Sequence, residues 1–153
     1  MENTNLIKSL YTFGNERLKE MKDRLKQGGK TATEELINSL SCYVEDDDGL
    51  YFLYLDMINY GVYVDSGRKP GRRYPPREKI RKWINDKGIR ADGISEEQLS
   101  FLIQRKIGIR GISPFPFLYI FYEPADKLAT IVEEGLAKDI QKDIDDFIEK
   151  YNT

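Results

Sequence analysis

Residues 66–76 read SGRKPGRRYPP, and this stretch limits the possible folds more than any other part of the chain. It holds two glycines, three prolines and four bases. So many breakers forbid a helix or a central strand, and so much charge forbids burial. The chain must therefore fold as elements on either side of a long exposed loop. Loops of this size in compact domains are usually functional or disordered.

Before the loop, residues 5–27 place Leu6, Leu10, Phe13, Leu18, Met21 and Leu25 at steps of three to five, with Gly28 and Gly29 after them. This spacing predicts an amphipathic helix with a glycine stop. Thr31 and Glu34 form a capping-box pair ahead of Leu36, Ile37 and Leu40, which predicts a short second helix. Residues 42–44 and 50–56 read as strands joined by a turn at Asp46, Asp47, Asp48 and Gly49. Tyr60, Val62, Tyr63 and Val64 form a further apolar segment, either a third strand or a short helical turn.

After the loop, Pro76 begins a short helix with Ile80, Trp83 and Ile84 on one face, ending at Gly88. Ser95 and Gln98 form a second capping box. Leu99, Leu102, Ile103 and Ile107 put one stripe on the following helix, with Gly108 as its expected stop. The two helices are expected to pair as an αα-hairpin over the sheet. Pro114 and Pro116 keep the start of residues 109–122 extended. From 124 to about 150, Leu128, Ile131, Val132, Leu136, Ile140, Ile144, Phe147 and Ile148 form the stripe of the longest helix, about 40 Å at full length.

The expected fold is α+β: a small antiparallel sheet, a hairpin plus a further strand, packed with an N-terminal helix, a central αα-hairpin and a long C-terminal helix. At 153 residues it reads as one domain, 1–153, with the basic loop at 66–76 exposed.

Composition narrows the chemistry. There is no histidine and only one cysteine, Cys42. That removes the commonest general base, the usual nucleophile pairs, an intrachain disulfide and, in practice, a structural zinc site. The acidic run at 45–48 lacks the spaced ligands of a calcium loop and reads as a turn. GRKPG and GIRG match neither a P-loop nor a dinucleotide fingerprint. The chain is expected to be non-enzymatic, with no cofactor. It has no apolar run of membrane-spanning length and no signal-peptide stretch at its start, so the expectation is cytoplasmic synthesis and no membrane partner.

Charge is unevenly distributed. Residues 68–82 carry eight bases (Arg68, Lys69, Arg72, Arg73, Arg77, Lys79, Arg81, Lys82) against Glu78 alone, while residues 123–150 carry nine acids against four lysines. Such segments can attract each other across a subunit boundary. The loop itself has three open readings: a protein interface, where Arg and Tyr are enriched, a solvated loop, or phosphate contact. Phe115-Pro116-Phe117-Leu118 is either buried or an exposed docking arm.

The order of motifs resembles a known family. YGVYVDSG at 60–67, a basic proline-rich linker, the PPREKIRKWINDKGI helix, the FLIQRKIGIRGI helix end and a PFPFL segment leading into the last helix resemble the tail-completion and head–tail joining proteins of tailed bacteriophages. The resemblance covers residues 60–150. It implies a small α+β adaptor, without a catalytic site, that forms a ring of six or twelve copies around the DNA channel between portal and tail. Its partners would be portal, neck and tail proteins, with DNA passing through and no sequence-specific binding. It would be made in the host bacterial cytoplasm and end in the virion neck. The residues then expected at contacts with a neighbouring subunit, the portal or channel DNA are Arg68, Lys69, Arg72, Arg73 and Tyr74, with Arg77, Phe115 and Phe117. The alternative is a small nucleic-acid-binding module using the same loop.

Overall fold

The computed structural model describes residues 3–28 and 34–151. The elements in order are α1 (Thr4–Gly28), α2 (Glu34–Ser39), β1 (Ser41–Asp47), β2 (Leu50–Asp56), α3 (Gly61–Ser66), α4 (Arg77–Asp86), α5 (Glu96–Arg110), α6 (Tyr119–Tyr122) and α7 (Ala125–Tyr151). The fold is α+β, and the strands form one two-stranded antiparallel sheet. By packing, the chain divides into two compact units, Met1–Gly61 with Pro116–Thr153, and Val62–Phe115.

In the first unit the expected stripe of α1 is the buried one: Leu6, Leu10, Phe13, Leu18, Met21 and Leu25. It packs on both strands and on α7. The capping residue Thr31 lies outside the described residues, and Glu34 opens α2. The hairpin turns at Asp48 and Gly49, both at positive φ, the backbone of a tight I′ connection. Asp46 accepts from the Gly49 N–H at 2.9 Å, and the register runs Asp47↔Leu50 to Ser41↔Asp56. On the exposed face the cross-strand pair Tyr43 and Tyr54 stacks at 5.0 Å, with Phe52 6.0 Å from Tyr54.

Contacts between α1 and α7 run in opposite chain directions. A Cβ on Gly135 would come within 2.9 Å of Leu6 Cα, and one turn further along α7 Asp139 meets the start of α1. Its carboxylate accepts from the Asn5 N–H and side-chain amide, at 2.9 and 2.8 Å, and from the Leu6 N–H at 2.9 Å. The two backbone N–H groups are donors that the first turn of a helix leaves unanswered. Burial alone would raise the Asp139 pKa, but the three donors and nearby Lys142 outweigh it and hold the carboxyl below the ordinary aspartate range. The unfolded chain therefore takes up this proton first as pH falls. The stability contributed by the contact is complete above the unfolded value of about 3.9 and drains away as pH falls through the folded value. Asp139→Ala should lower the melting temperature at neutral pH by about 5–10 °C. The gap from wild type should narrow below about pH 4; a gap that stays constant down to pH 2 would contradict this role.

In the second unit α4 and α5 pack on each other as the expected helix pair, and no strand of the hairpin belongs to this unit. Pro76 precedes α4, and Gly88 ends it at φ +61. Ser95 and Gln98 form the full reciprocal capping box of α5. Arg81 on α4 bonds Glu96 on α5 at 3.0 Å, which holds the Glu96 carboxyl below its usual range; the pair is exposed and contributes little.

Two expectations are corrected. Of the two readings of residues 60–64, the third strand fails and the short helical turn holds, with Gly61 opening α3. A strand here would need a neighbouring backbone to pair with, whereas one helical turn satisfies its polar groups internally, with the Ser66 hydroxyl donating to the Val62 carbonyl at 2.7 Å. It buries Val64 and leaves Val62 and Tyr63 exposed. The second correction is that α5 continues through Gly108 and stops at Gly111, where φ is +73. No helix among the described residues is long and apolar enough to cross a membrane.

Candidate functional site

The loop at 66–76 is fastened to the end of α5. Arg68 and Ile112 pair as an antiparallel bridge, exchanging N–H to carbonyl bonds of 2.9 and 2.8 Å. The Gly71 N–H donates to the Gly108 carbonyl at 2.8 Å, and the Gln104 amide to the Pro75 carbonyl at 2.8 Å. Tyr74 lies against Gly108, where a Cβ would strike its ring. Phe115 closes the unit, its N–H donating to the Val64 carbonyl at 2.9 Å. The loop is thus a strap whose backbone bonds are made against fixed partners.

Between strap and helix lies an open cleft of about 510 Å³, lined by Arg68, Arg73, Tyr74, Pro75, Pro76 and Gln104. Its lining combines a tyrosine, two prolines, two arginines and a glutamine. The Nε of Arg68 is buried and meets no hydrogen-bond acceptor among the described residues. A buried guanidinium N–H without an acceptor is costly to folding.

Of the expected contact residues, the cleft brings together Arg68, Arg73 and Tyr74. Lys69 and Arg72 are exposed on the strap outside it. Arg77 opens α4, its guanidinium 5.4 Å from the Phe101 ring and 4.0 Å from the Glu97 carboxylate. Phe115 is half-buried. Phe117 is corrected: it is 0% exposed, a core residue of the first unit and no part of a contact surface in the free chain. Apolar spacing gave no sign of Gln104, because the inward face of α5 runs Ser100–Gln104–Gly108, a polar and small series at helical spacing.

A second surface lies on α7. Asp139 is already level with the first turn of α1, so residues 140–151 extend past it. On this overhang Ile140, Ile144, Phe147, Ile148 and Tyr151 recur at helical spacing and are between 47% and 67% exposed. Asp143, Asp145, Asp146 and Glu149 flank them, against Lys142 and Lys150. Phe147 and Tyr151 rings contact each other at 4.5 Å.

Among the described residues no group of three or more His, Cys, Asp or Glu is placed to hold a metal ion. Cys42 sits half-buried in β1, and burial pushes its thiol up, away from the reactive thiolate. The fold and these surfaces define a small α+β protein with a basic cleft and a separate acidic, apolar helix end. No protein-family model, curated protein or solved structure matches the chain.

Proposed function

We propose that this chain is a non-enzymatic structural subunit that assembles with copies of itself and with other proteins, as one layer of the head–tail connector of a tailed bacteriophage. The observation that carries this reading is the α7 overhang, five large apolar side chains in one exposed stripe on an ordered helix. Monomeric proteins rarely leave such stripes open, and a second protein surface is their usual cover. The motif order over residues 60–150 supplies the particular assembly: a ring of six or twelve copies between portal and tail, surrounding the DNA channel, made in the bacterial cytoplasm and carried in the virion. Cleft and overhang are different patches, and a patch meeting a different patch is what closes a ring.

Tagged protein recovered from its native source after nuclease treatment should bring portal and tail proteins with it in stoichiometric amounts. Recovery of nucleic-acid-associated proteins alone, lost on nuclease treatment, would overturn the reading.

The second reading, a nucleic-acid-binding module, draws on the strap and α4 with their eight bases against one acid. It requires log K to fall steeply with log salt, by about 0.9 per phosphate contacted on duplex DNA. The connector reading expects no retention of short duplex DNA at about 150 mM salt. Retention with a slope of several phosphates would favour the module.

A further inference from the structure

The assembly reading leaves open which surfaces meet. The cleft is mostly apolar, lined by Tyr74, Pro75 and Pro76, with Arg68 and Arg73 beside them. Its size is that of a ligand pocket rather than a packing gap. Its two arginines call for an oxyanion such as a carboxylate, carried by something apolar enough to sit against the tyrosine and prolines. A bare phosphate backbone meets only the first requirement. A protein segment with carboxylates beside aromatic side chains meets both.

The overhang of α7 is such a segment, and its own requirement is the converse. Its stripe needs an apolar cover, and its four acids against two lysines repel a second overhang laid alongside. The surroundings of the cleft, eight bases against one acid over residues 68–82, attract it.

We propose that the cleft of one copy receives the α7 overhang of a second copy. Phe147, Ile148 or Tyr151 then packs on Tyr74, Pro75 and Pro76, and a flanking carboxylate accepts from Arg68 and Arg73. The contact is head-to-tail, so each copy keeps one cleft and one overhang for its neighbours. This inference rests on the assembly reading and specifies its interface.

The test is sedimentation velocity of the full chain over a range of concentrations, with folding of every variant checked by circular dichroism. Wild type should self-associate, more weakly as salt rises. Arg73→Glu, a change at an exposed position, should weaken association at least about tenfold, as should I144D/F147D on the overhang. Arg72→Glu, on the strap but outside the cleft, should change it little. Arg68→Gln, which removes the charge without reversing it, repeats the test at the half-buried arginine and should weaken association likewise.

The decisive arm mixes the two defective variants. Arg73→Glu retains a sound overhang and I144D/F147D a sound cleft, so the mixture should form a 1:1 pair and nothing larger. Self-association of Arg73→Glu at wild-type strength, a mixture that stays monomeric, or a wild-type chain that stays monomeric up to about 100 μM would each overturn the inference. The two proposals can fail separately. Arg73→Glu copies incorporated into particles at wild-type level would sink this interface and leave the connector reading. Cleft-dependent association without portal or tail proteins in the pull-down would do the reverse.

Discussion

Replacing Phe117 with alanine is expected to remove about 3–5 kcal/mol of folding stability, the usual cost of emptying a fully buried aromatic site. Phe117 is entirely enclosed and lies two residues before α6, whose Ile120 N–H donates back to the Phe117 carbonyl at 3.2 Å. Phe121, one helical turn on, is also buried. The side chain therefore fixes where the segment after Pro116 joins the first unit and how α7 begins. A domain of this size holds about 5–15 kcal/mol in total, so the variant should stay folded only under favourable conditions. Chemical denaturation measures the loss. The alternative role, an exposed docking anchor, predicts an unchanged unfolding midpoint with weakened assembly. A loss below about 1 kcal/mol would contradict the burial of Phe117.

Gly111→Val is expected to cost at least about 3 kcal/mol, against about 1 kcal/mol for Gly88→Ala. Both glycines stop a helix in the left-handed region, at φ +73 and +61. Around Gly88 a Cβ would meet nothing within 4 Å, so only the backbone preference is lost. At Gly111 the added carbon would collide with the Arg68 carbonyl oxygen and come within 2.9 Å of Pro70 N. The collision falls on the bridge between Arg68 and Ile112, so two backbone hydrogen bonds should go with it, each about 0.5–1.5 kcal/mol. Hydrogen exchange should show the Arg68 and Ile112 amides opening in Gly111→Val and protected in Gly88→Ala. Equal effects of the two substitutions would mean that the strap is not held to the end of α5.

Where local chemistry decides an element, the sequence is enough to read it. Pro76 and Gly88 bracket α4, the Ser95/Gln98 pair starts α5, and Asp48–Gly49 makes the hairpin turn, because each acts on its own backbone within a few residues. Elements that depend on distant partners stay ambiguous or go wrong. The segment at 60–64 suits a strand or a helical turn, and with no strand edge among the described residues to pair with, it closes as α3. Gly108 looks like a stop; its lack of a side chain instead makes room for Tyr74 from the strap.

The site divides the same way. The basic strap and the apolar stripe of α7 are both legible as composition and period. The cleft is not, because α5 gives it only Gln104, from a Ser100–Gln104–Gly108 face that carries no apolar signal. Nor is the exposure of the last three turns of α7 legible. It follows from where Asp139 meets α1, a contact between residues 134 positions apart.

The most direct measurement on the connector reading is the morphology of particles made without this chain. Electron microscopy of such a preparation should show DNA-filled heads and free tails that fail to join, with joining restored when the chain is supplied. Normally joined, infectious particles in its absence would contradict the central claim.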